Sequence, residues 1–206
     1  TYGDGEHGYV DDEEHIEELR PMNMYGYSKQ MFDLWARRQG LLSKITGVKY
    51  TNVFGPNELH KAEMRSVVCR AYEQIRDTGK VGLFKSYRSE YADGEQKRDF
   101  IYVKDAVKMV MFLLENRCHG IYNIGSGRAE TWNSLAAAVF KALDKPVNIE
   151  YIEMPEHLRG KYQYYTCADI AKIRNAGYTD IVTPLEDTVA DYIRNYISQG
   201  RFLGDE

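Results

Sequence analysis

The chain has 206 residues, 43% hydrophobic and 28% charged, enough to bury one substantial core, which excludes disordered and collagen-like classes. A formal net charge of -4 and a pI near 5.8 argue against nucleic acid or an anionic membrane as the main partner and favour a small molecule. Cys69, Cys118 and Cys167 show no Cys-x-x-Cys spacing, so neither a disulfide framework nor a zinc site is indicated, and without a secretion signal or long apolar run a reducing cytoplasm is expected.

The chain opens on Thr1 and a Gly-rich, acidic loop with no hydrophobic element before it, as expected of a start in mid-protein. Gly3, Gly5 and Gly8 have the G-x-G-x-x-G spacing of a dinucleotide-binding turn. Such a turn needs a preceding strand and a following helix whose free N–H groups hold pyrophosphate. Here only Thr1 and Tyr2 precede, and six carboxylates over 10–18 would repel phosphate, so a solvated loop is expected. His7 and His15 among those carboxylates read as exposed loop residues rather than metal ligands.

From Pro21 to Gly40 the apolar spacing predicts a helix of about four turns with Met31, Phe32 and Trp35 facing inward. Tyr25 and Lys29 stand four residues apart near its start, on one face. An ammonium beside a phenol stabilises the phenolate, which makes Tyr25 a candidate acid/base. With 17 tyrosines in the chain, such a pair is expected about once by chance, so the spacing alone does not establish chemistry.

Residues 48–54 are β-branched and aromatic and are stopped by Gly55-Pro56, a strand followed by a loop. Ligands collect at the carboxyl ends of strands in open α/β sheets, which places Asn52, Asn57, His60 and Lys61 where a site would form. Lys61 is either a second base or phosphate contact, or a solvated loop lysine.

A helix is expected over 63–77 with Met64, Val67, Val68, Ala71 and Ile75 inward, then a short strand at 81–84. Residues 86–97 are polar and irregular, suited to a lid. A strand is predicted over 97–105, with Asp105 capping the next helix to 116. Arg98 is placed either to grip a phosphate or to pair with Asp99 or Asp105. A strand at 120–124 runs into Gly125-Ser126-Gly127, Thr131 caps a helix through Leu143, and 147–152 is the next strand. The connection 154–165 carries Arg159, Lys161 and Tyr162, suited to nucleotide contact by charge and stacking or to surface packing. Helices near 168–176 and 184–198 close the chain. No repeat or linker interrupts it, so it is expected to behave as one unit.

Four segments in this order carry a resemblance: Tyr-Gly-Tyr-Ser-Lys at 25–29, Tyr-Thr-Asn-Val-Phe-Gly-Pro at 50–56, Arg-Asp-Phe-Ile-Tyr-Val-Lys-Asp at 98–105 and Tyr-Asn-Ile-Gly-Ser-Gly at 122–127. The chain resembles the C-terminal two-thirds of an extended short-chain dehydrogenase/reductase. A narrower similarity, to the ADP-L-glycero-D-manno-heptose 6-epimerase family, rests on Gly-Pro-Asn-Glu-Leu-His-Lys at 55–61, Leu-Phe-Lys-Ser-Tyr at 83–87, Gly-Arg-Ala-Glu-Thr at 127–131 and Met-Pro-Glu-His-Leu-Arg-Gly-Lys-Tyr-Gln at 154–163.

The resemblance implies an α/β fold, a Rossmann-type parallel sheet with a smaller substrate domain. The remainder of the Rossmann domain and its catalytic helix would occupy 1–56. The substrate domain would occupy most of 57–206, with the chain returning to the Rossmann sheet near 98–127. It implies Tyr25 as the catalytic tyrosine, Lys29 on the nicotinamide ribose, Lys61 as second acid/base and Val53 as a cofactor contact. Asn52, Lys61, Glu63, Arg70, Phe84, Lys85, Ser86, Tyr87, Arg98 and Tyr162 would meet substrate.

The implied reaction inverts C6 of the heptose of an ADP-heptose by transient oxidation with bound NADP, or NAD, for lipopolysaccharide core synthesis. A cytoplasmic homo-oligomer without metal, membrane or nucleic-acid partner is expected. The resemblance also places the glycine-rich cofactor turn and a Ser/Thr partner of the tyrosine upstream of Thr1, which would leave these 206 residues alone inactive. Alternatives are another nucleotide-sugar 4-epimerase or 4,6-dehydratase, or a non-catalytic sugar-nucleotide-binding or assembly module.

Overall fold

A computed structural model describes residues 1–205. In chain order the elements are α1 (Met24–Arg38), β1 (Thr46–Tyr50), β2 (Asn52–Phe54), a 3-10 segment (Leu59–Met64), α2 (Val67–Thr78), β3 (Val81–Phe84), β4 (Lys97–Arg98), β5 (Phe100–Tyr102) and α3 (Val103–Glu115). Then come β6 (Gly120–Ile124), β7 (Glu130–Thr131), α4 (Trp132–Ala142), β8 (Ile149–Ile152), α5 (Glu156–Arg159), α6 (Ala171–Asn175) and α7 (Leu185–Asn195). Three strand pairs are parallel, β1 with β6, β2 with β5 and β3 with β8; β4 and β7 pair antiparallel. The α/β expectation holds.

The long strand expected over 48–54 changes partner at Thr51. β1 pairs with β6, and β2 with β5. Asp99, fully buried, holds this crossover together. Its carboxylate accepts from Ser126 N (2.7 Å), Ser126 Oγ (2.8 Å), Gly127 N (3.1 Å), Ala168 N (3.0 Å) and Thr51 Oγ1 (3.3 Å). Gly125 is required there, because an added Cβ would lie 2.9 Å from an Asp99 oxygen.

Two apolar cores lie on either side of these strands. One joins α2, β3, α4 and α7 through Val68, Ile75, Leu83, Leu135, Phe140 and Ile193; the other packs Ile101, Met109, Leu113, Ile124, Ile173 and Tyr178. Every residue of β6 is buried, as its near-continuous apolar run requires of a covered parallel strand. Ser66 and Thr131 cap α2 and α4, accepting from Cys69 N (3.2 Å) and Ser134 N (2.9 Å).

Four expectations are corrected. Met31, Phe32 and Trp35 of α1 are 60%, 58% and 51% exposed. Periodicity marks an apolar face without saying where it docks, and α1 packs instead through Gly26, Gln30 and Ala36. Gln30 donates to the carbonyls of Ile16 and Leu19, both at 2.8 Å, which fixes that orientation. Met64 is 87% exposed because it ends the 3-10 segment, and the non-helical backbone of Arg65 and Ser66 separates it from α2.

Helix α3 starts at Val103, with Tyr102 rather than Asp105 in the cap position. Asp105 lies in the first turn, where its carboxylate accepts from Thr183 N at 2.9 Å and Lys108 Nζ at 3.1 Å. The carboxylates of the N-terminal loop are not all solvated. Asp11 accepts from Asn123 N and Glu13 from Ile121 N, both at 2.8 Å, and Lys172 Nζ binds the same Glu13 oxygen at 2.6 Å. Alternate N–H groups of a parallel strand face away from its partner, and here two acidic side chains stand in for a neighbouring strand. The burial that this demands pushes the Asp11 carboxyl up from its ordinary value.

Candidate active site

Helix α1 begins where Asn23 Oδ1 accepts from Gly26 N at 2.8 Å, and the first turn presents Tyr25 outward, 74% exposed. One turn on, the Lys29 ammonium stands over the Tyr25 ring, 5.1 Å from its centroid. Neither Tyr25 Oη nor Lys29 Nζ has a hydrogen-bonding or ionic partner among the described residues.

Tyr25 lines an open cavity of about 280 Å³ with Asn23, Gly26, Arg98, Lys161, Tyr162 and Gln163. A second cavity, about 420 Å³, lies between α2, β3 and β8 and includes Arg70, Gln74, Phe84, Trp132, Ile152 and Tyr162. Tyr162 belongs to both. A third, about 250 Å³, holds Asn52, the first residue of β2, and shares Gln163 with the first. The chain thus places an apolar, aromatic-walled cavity on one side of Tyr162 and a polar one containing Tyr25 on the other.

Arg98 stands at the junction. It is only 7% exposed, its guanidinium carbon lies 5.1 Å from the Tyr162 ring centroid and 5.7 Å from that of Trp132, and it donates to the carbonyls of Lys97 (2.8 Å) and Gln163. Among the described residues no carboxylate pairs with it. Asp99 faces the strand crossover and Asp105 faces Lys108, so the structural pairing considered for Arg98 is not made. Burial depresses its pKa, but a guanidinium remains charged. A buried cation held only by carbonyls, with N–H groups to spare, is suited to an anion. Burial likewise pushes the Tyr162 phenol up, so it stays neutral and available for stacking.

The cavities gather Tyr25, Asn52, Arg70, Phe84, Arg98 and Tyr162 from the predicted set. The others lie elsewhere. Lys85 Nζ is bound to Glu153 at 2.7 Å, Tyr87 Oη also donates to Glu153, and Ser86 bonds to Asp93 and Arg88. Lys61 and Glu63 are exposed on the segment 59–64 and line none of these cavities, and Val53 lines an apolar cleft against α3. Asn57 is committed to the C-terminal segment through Leu203 N at 2.8 Å.

Trp132, Gln74 and Gln163 line the cavities without having been singled out. Trp132 follows the Thr131 cap, and a capped helix start is the signal that could have marked it. Among the described residues no group of His, Cys, Asp and Glu is arranged to hold a metal ion, and no helix is long and apolar enough to cross a membrane.

Residues 1–125 match the model of the NAD dependent epimerase/dehydratase family. The chain is 54% identical, over 199 residues, to a protein of Nitratidesulfovibrio vulgaris named ADP-L-glycero-D-manno-heptose-6-epimerase, covering 96% of this chain and 62% of that one. A Fusobacterium nucleatum protein of the same name is 47% identical, covering 97% and 63%. The chain therefore spans about three-fifths of the length of these curated relatives. Among solved structures, the Helicobacter pylori ADP-L-glycero-D-manno-heptose-6-epimerase superposes with a TM-score of 0.72 at 25% identity, over 87% of this chain and 52% of that one. Thermus thermophilus UDP-glucose 4-epimerase, solved with NAD, shares the fold at a TM-score of 0.67 and 24% identity, over 87% and 56%.

Proposed function

Because the chain belongs to the NAD dependent epimerase/dehydratase family, we propose that it carries the acid/base and nucleotide-sugar-binding part of an ADP-L-glycero-D-manno-heptose 6-epimerase. The 54% identity to a relative of that name across 96% of the chain carries this reading. The two cavities meeting at Tyr162 support it, since a nucleotide sugar needs an apolar seat for its base, cations for its diphosphate and a reactive group at its sugar.

Phe84, Trp132 and Tyr162 would seat the base, Arg98 the diphosphate, and Asn52 and Tyr25 the sugar. Tyr25 and Lys29 fit a nicotinamide cofactor in chemistry. Their hydroxyl and ammonium are free donors on one face of α1, suited to ribose hydroxyls and to a phenol that exchanges protons. When bound, that cofactor, proposed to be NADP, supplies reversible hydride transfer. The protein's own task is proton movement. In one orientation of the substrate Tyr25 Oη would take the proton of the C6 hydroxyl as the carbonyl forms, or return it as the carbonyl is reduced on that face.

Lys61 would serve the opposite orientation of the substrate. It stands apart from Tyr25, beside a kink at Ala62 with φ 47°, so this role requires the segment 59–64 to rearrange. A cytoplasmic homo-oligomer is part of the proposal. The test is to incubate the chain, within a protein of its relatives' full length, with an ADP-heptose and NADP and resolve the C6 epimers by chromatography. A C6 epimer is expected. Epimerisation at C4 of a UDP-sugar, or dehydration, with ADP-heptose untouched, would transfer the function to the related 4-epimerases and dehydratases. Binding of the nucleotide sugar with no turnover would favour a non-catalytic module.

A further inference from the structure

The segment that carries Lys61 is held at its roots. None of the residues Leu59–Met64 is buried, and Leu59 and Met64 leave their apolar side chains exposed. Within it, Ala62 has φ 47°, in the left-handed region that an alanine rarely adopts. At the leading root Glu58 is buried, 5% exposed, and Lys61 N donates to its carbonyl at 3.0 Å. At the trailing root Ser66 opens α2, and both Ser66 N and Ser66 Oγ donate to the Glu58 carboxylate at 2.6 Å. Tyr192 Oη, from α7, donates to the same carboxylate at 3.0 Å. Arg65 Nε adds a bond to the Ala62 carbonyl at 2.7 Å.

A buried carboxylate is costly unless its oxygens are answered. Here three donors answer it, and it lies at the favourable end of the α2 dipole. Burial and the adjacent Glu58 charge push the Tyr192 phenol up, so it stays protonated and remains a donor. The Glu58 side chain thus closes residues 59–65 into a loop and fastens both ends to α7. A cavity of about 50 Å³ includes Ser66 together with Asn52 and Trp132. The segment is therefore rooted beside the residues given above to the sugar and the base, although Lys61 itself lines none of the cavities.

We propose that Glu58 is a positioning residue for Lys61, the fixed root about which residues 59–64 turn to bring the lysine to the substrate. This rests on the two-base reading of Lys61 above and deepens it. A lysine on a segment with no buried residue of its own has its reach set where that segment is fastened. Glu58 fastens both ends at once, while the backbone between them bends at Ala62. Misplacing a catalytic group in this way lowers reactivity without removing the contacts that bind substrate.

The test compares Glu58→Gln, Tyr192→Phe, Lys61→Met and the Glu58→Gln/Lys61→Met double variant, each in a protein of the relatives' full length. Single-turnover oxidation is followed for each C6 epimer separately, and amide hydrogen exchange is followed over 59–66. The epimer that Lys61→Met slows is the one that depends on the lysine. Glu58→Gln is expected to slow that epimer by about 10- to 100-fold, with substrate affinity and oxidation of the other epimer unchanged, and to speed exchange over 59–66. It should add nothing to the loss in Lys61→Met. Tyr192→Phe removes one donor and keeps its ring in the core. It is expected to show the same selective slowing to a smaller degree, and it decides the matter if Glu58→Gln does not fold. Equal slowing of both epimers would make Glu58 a support of the fold and overturn the proposal. Unchanged oxidation of the lysine-dependent epimer, with Lys61→Met impaired, would overturn it and leave the two-base reading standing. An unimpaired Lys61→Met would overturn both, so the two failures are distinguishable.

Discussion

The Lys29 ammonium lies over the face of the Tyr25 ring, 5.1 Å from its centroid, one helical turn further along α1. The lysine thus steadies the ring while leaving the phenolic oxygen open toward the cavity that also holds Arg98 and Lys161. Among the described residues the Tyr25 hydroxyl makes no hydrogen bond, so its removal probes chemistry alone. In Tyr25→Phe, kcat is expected to fall by about 10²- to 10⁴-fold, the range general acid–base catalysis contributes, with ADP affinity and the thermal midpoint unchanged. Turnover within a few-fold of wild type would remove Tyr25 from the mechanism.

Lys61 tests the two-base proposal. It is exposed, and its side chain makes no hydrogen bond or ion pair among the described residues, so Lys61→Met is expected to fold normally and to lose nearly all epimerisation. Single-turnover oxidation of the epimer presented to Tyr25 should survive. Steady-state activity equal to wild type would leave Tyr25 as the sole acid/base.

Asp99 makes a structural prediction. Its carboxylate satisfies the backbone N–H groups of Ser126, Gly127 and Ala168 where two strand pairs exchange partners. Each buried donor left unpaired costs roughly 1–3 kcal/mol, so Asp99→Ala is expected to destabilise by at least about 3 kcal/mol in urea unfolding. A change of under about 0.5 kcal/mol, the range of neutral surface substitutions, would mean that other groups hold the crossover.

Asp191 supplies a pH dependence. Burial acts to raise its pKa but is outweighed by hydrogen bonds from Lys104 Nζ (2.8 Å), Tyr102 Oη (2.7 Å) and Asn195 Nδ2 (2.7 Å), and the net shift is downward from the ordinary 3.8. A carboxyl with a depressed folded pKa contributes stability that is present above 3.8 and lost as pH falls through the folded value. The urea midpoints of wild type and Asp191→Asn should therefore differ most near neutrality and converge in acid below 3.8. A gap that persists unchanged into that acid range would assign the effect to shape rather than charge.

Much of this protein was legible in its residues. The one-turn spacing of Tyr25 and Lys29, the Thr131 cap, the strand at 120–124 and the order of the segments around 25, 50, 98 and 122 each follow from local backbone geometry, which sequence spacing encodes directly. Most strand positions followed for the same reason, whereas α2 and α3 start at Val67 and Val103 rather than at 63 and 105. The outward face of α1 did not, because Met31, Phe32 and Trp35 mark an apolar stripe whether or not that stripe docks. Its orientation was settled by Gln30, a polar residue reaching the carbonyls of Ile16 and Leu19.

The sequence by itself determined the element order, the α/β class and the residue types available for acid/base and anion chemistry. Only the tertiary structure decided that Arg98 lacks a carboxylate partner among the described residues while its neighbour Asp99 is spent on the strand crossover. It also decided that Lys161 and Tyr162, more than 130 residues beyond Tyr25 in the chain, share a cavity with it, and that Lys85 and Tyr87 turn instead to Glu153. Local propensity fixes which way adjacent residues alternate. Which of them meets a ligand depends on what distant segments pack against each face, and that information is carried by contacts between residues far apart in sequence.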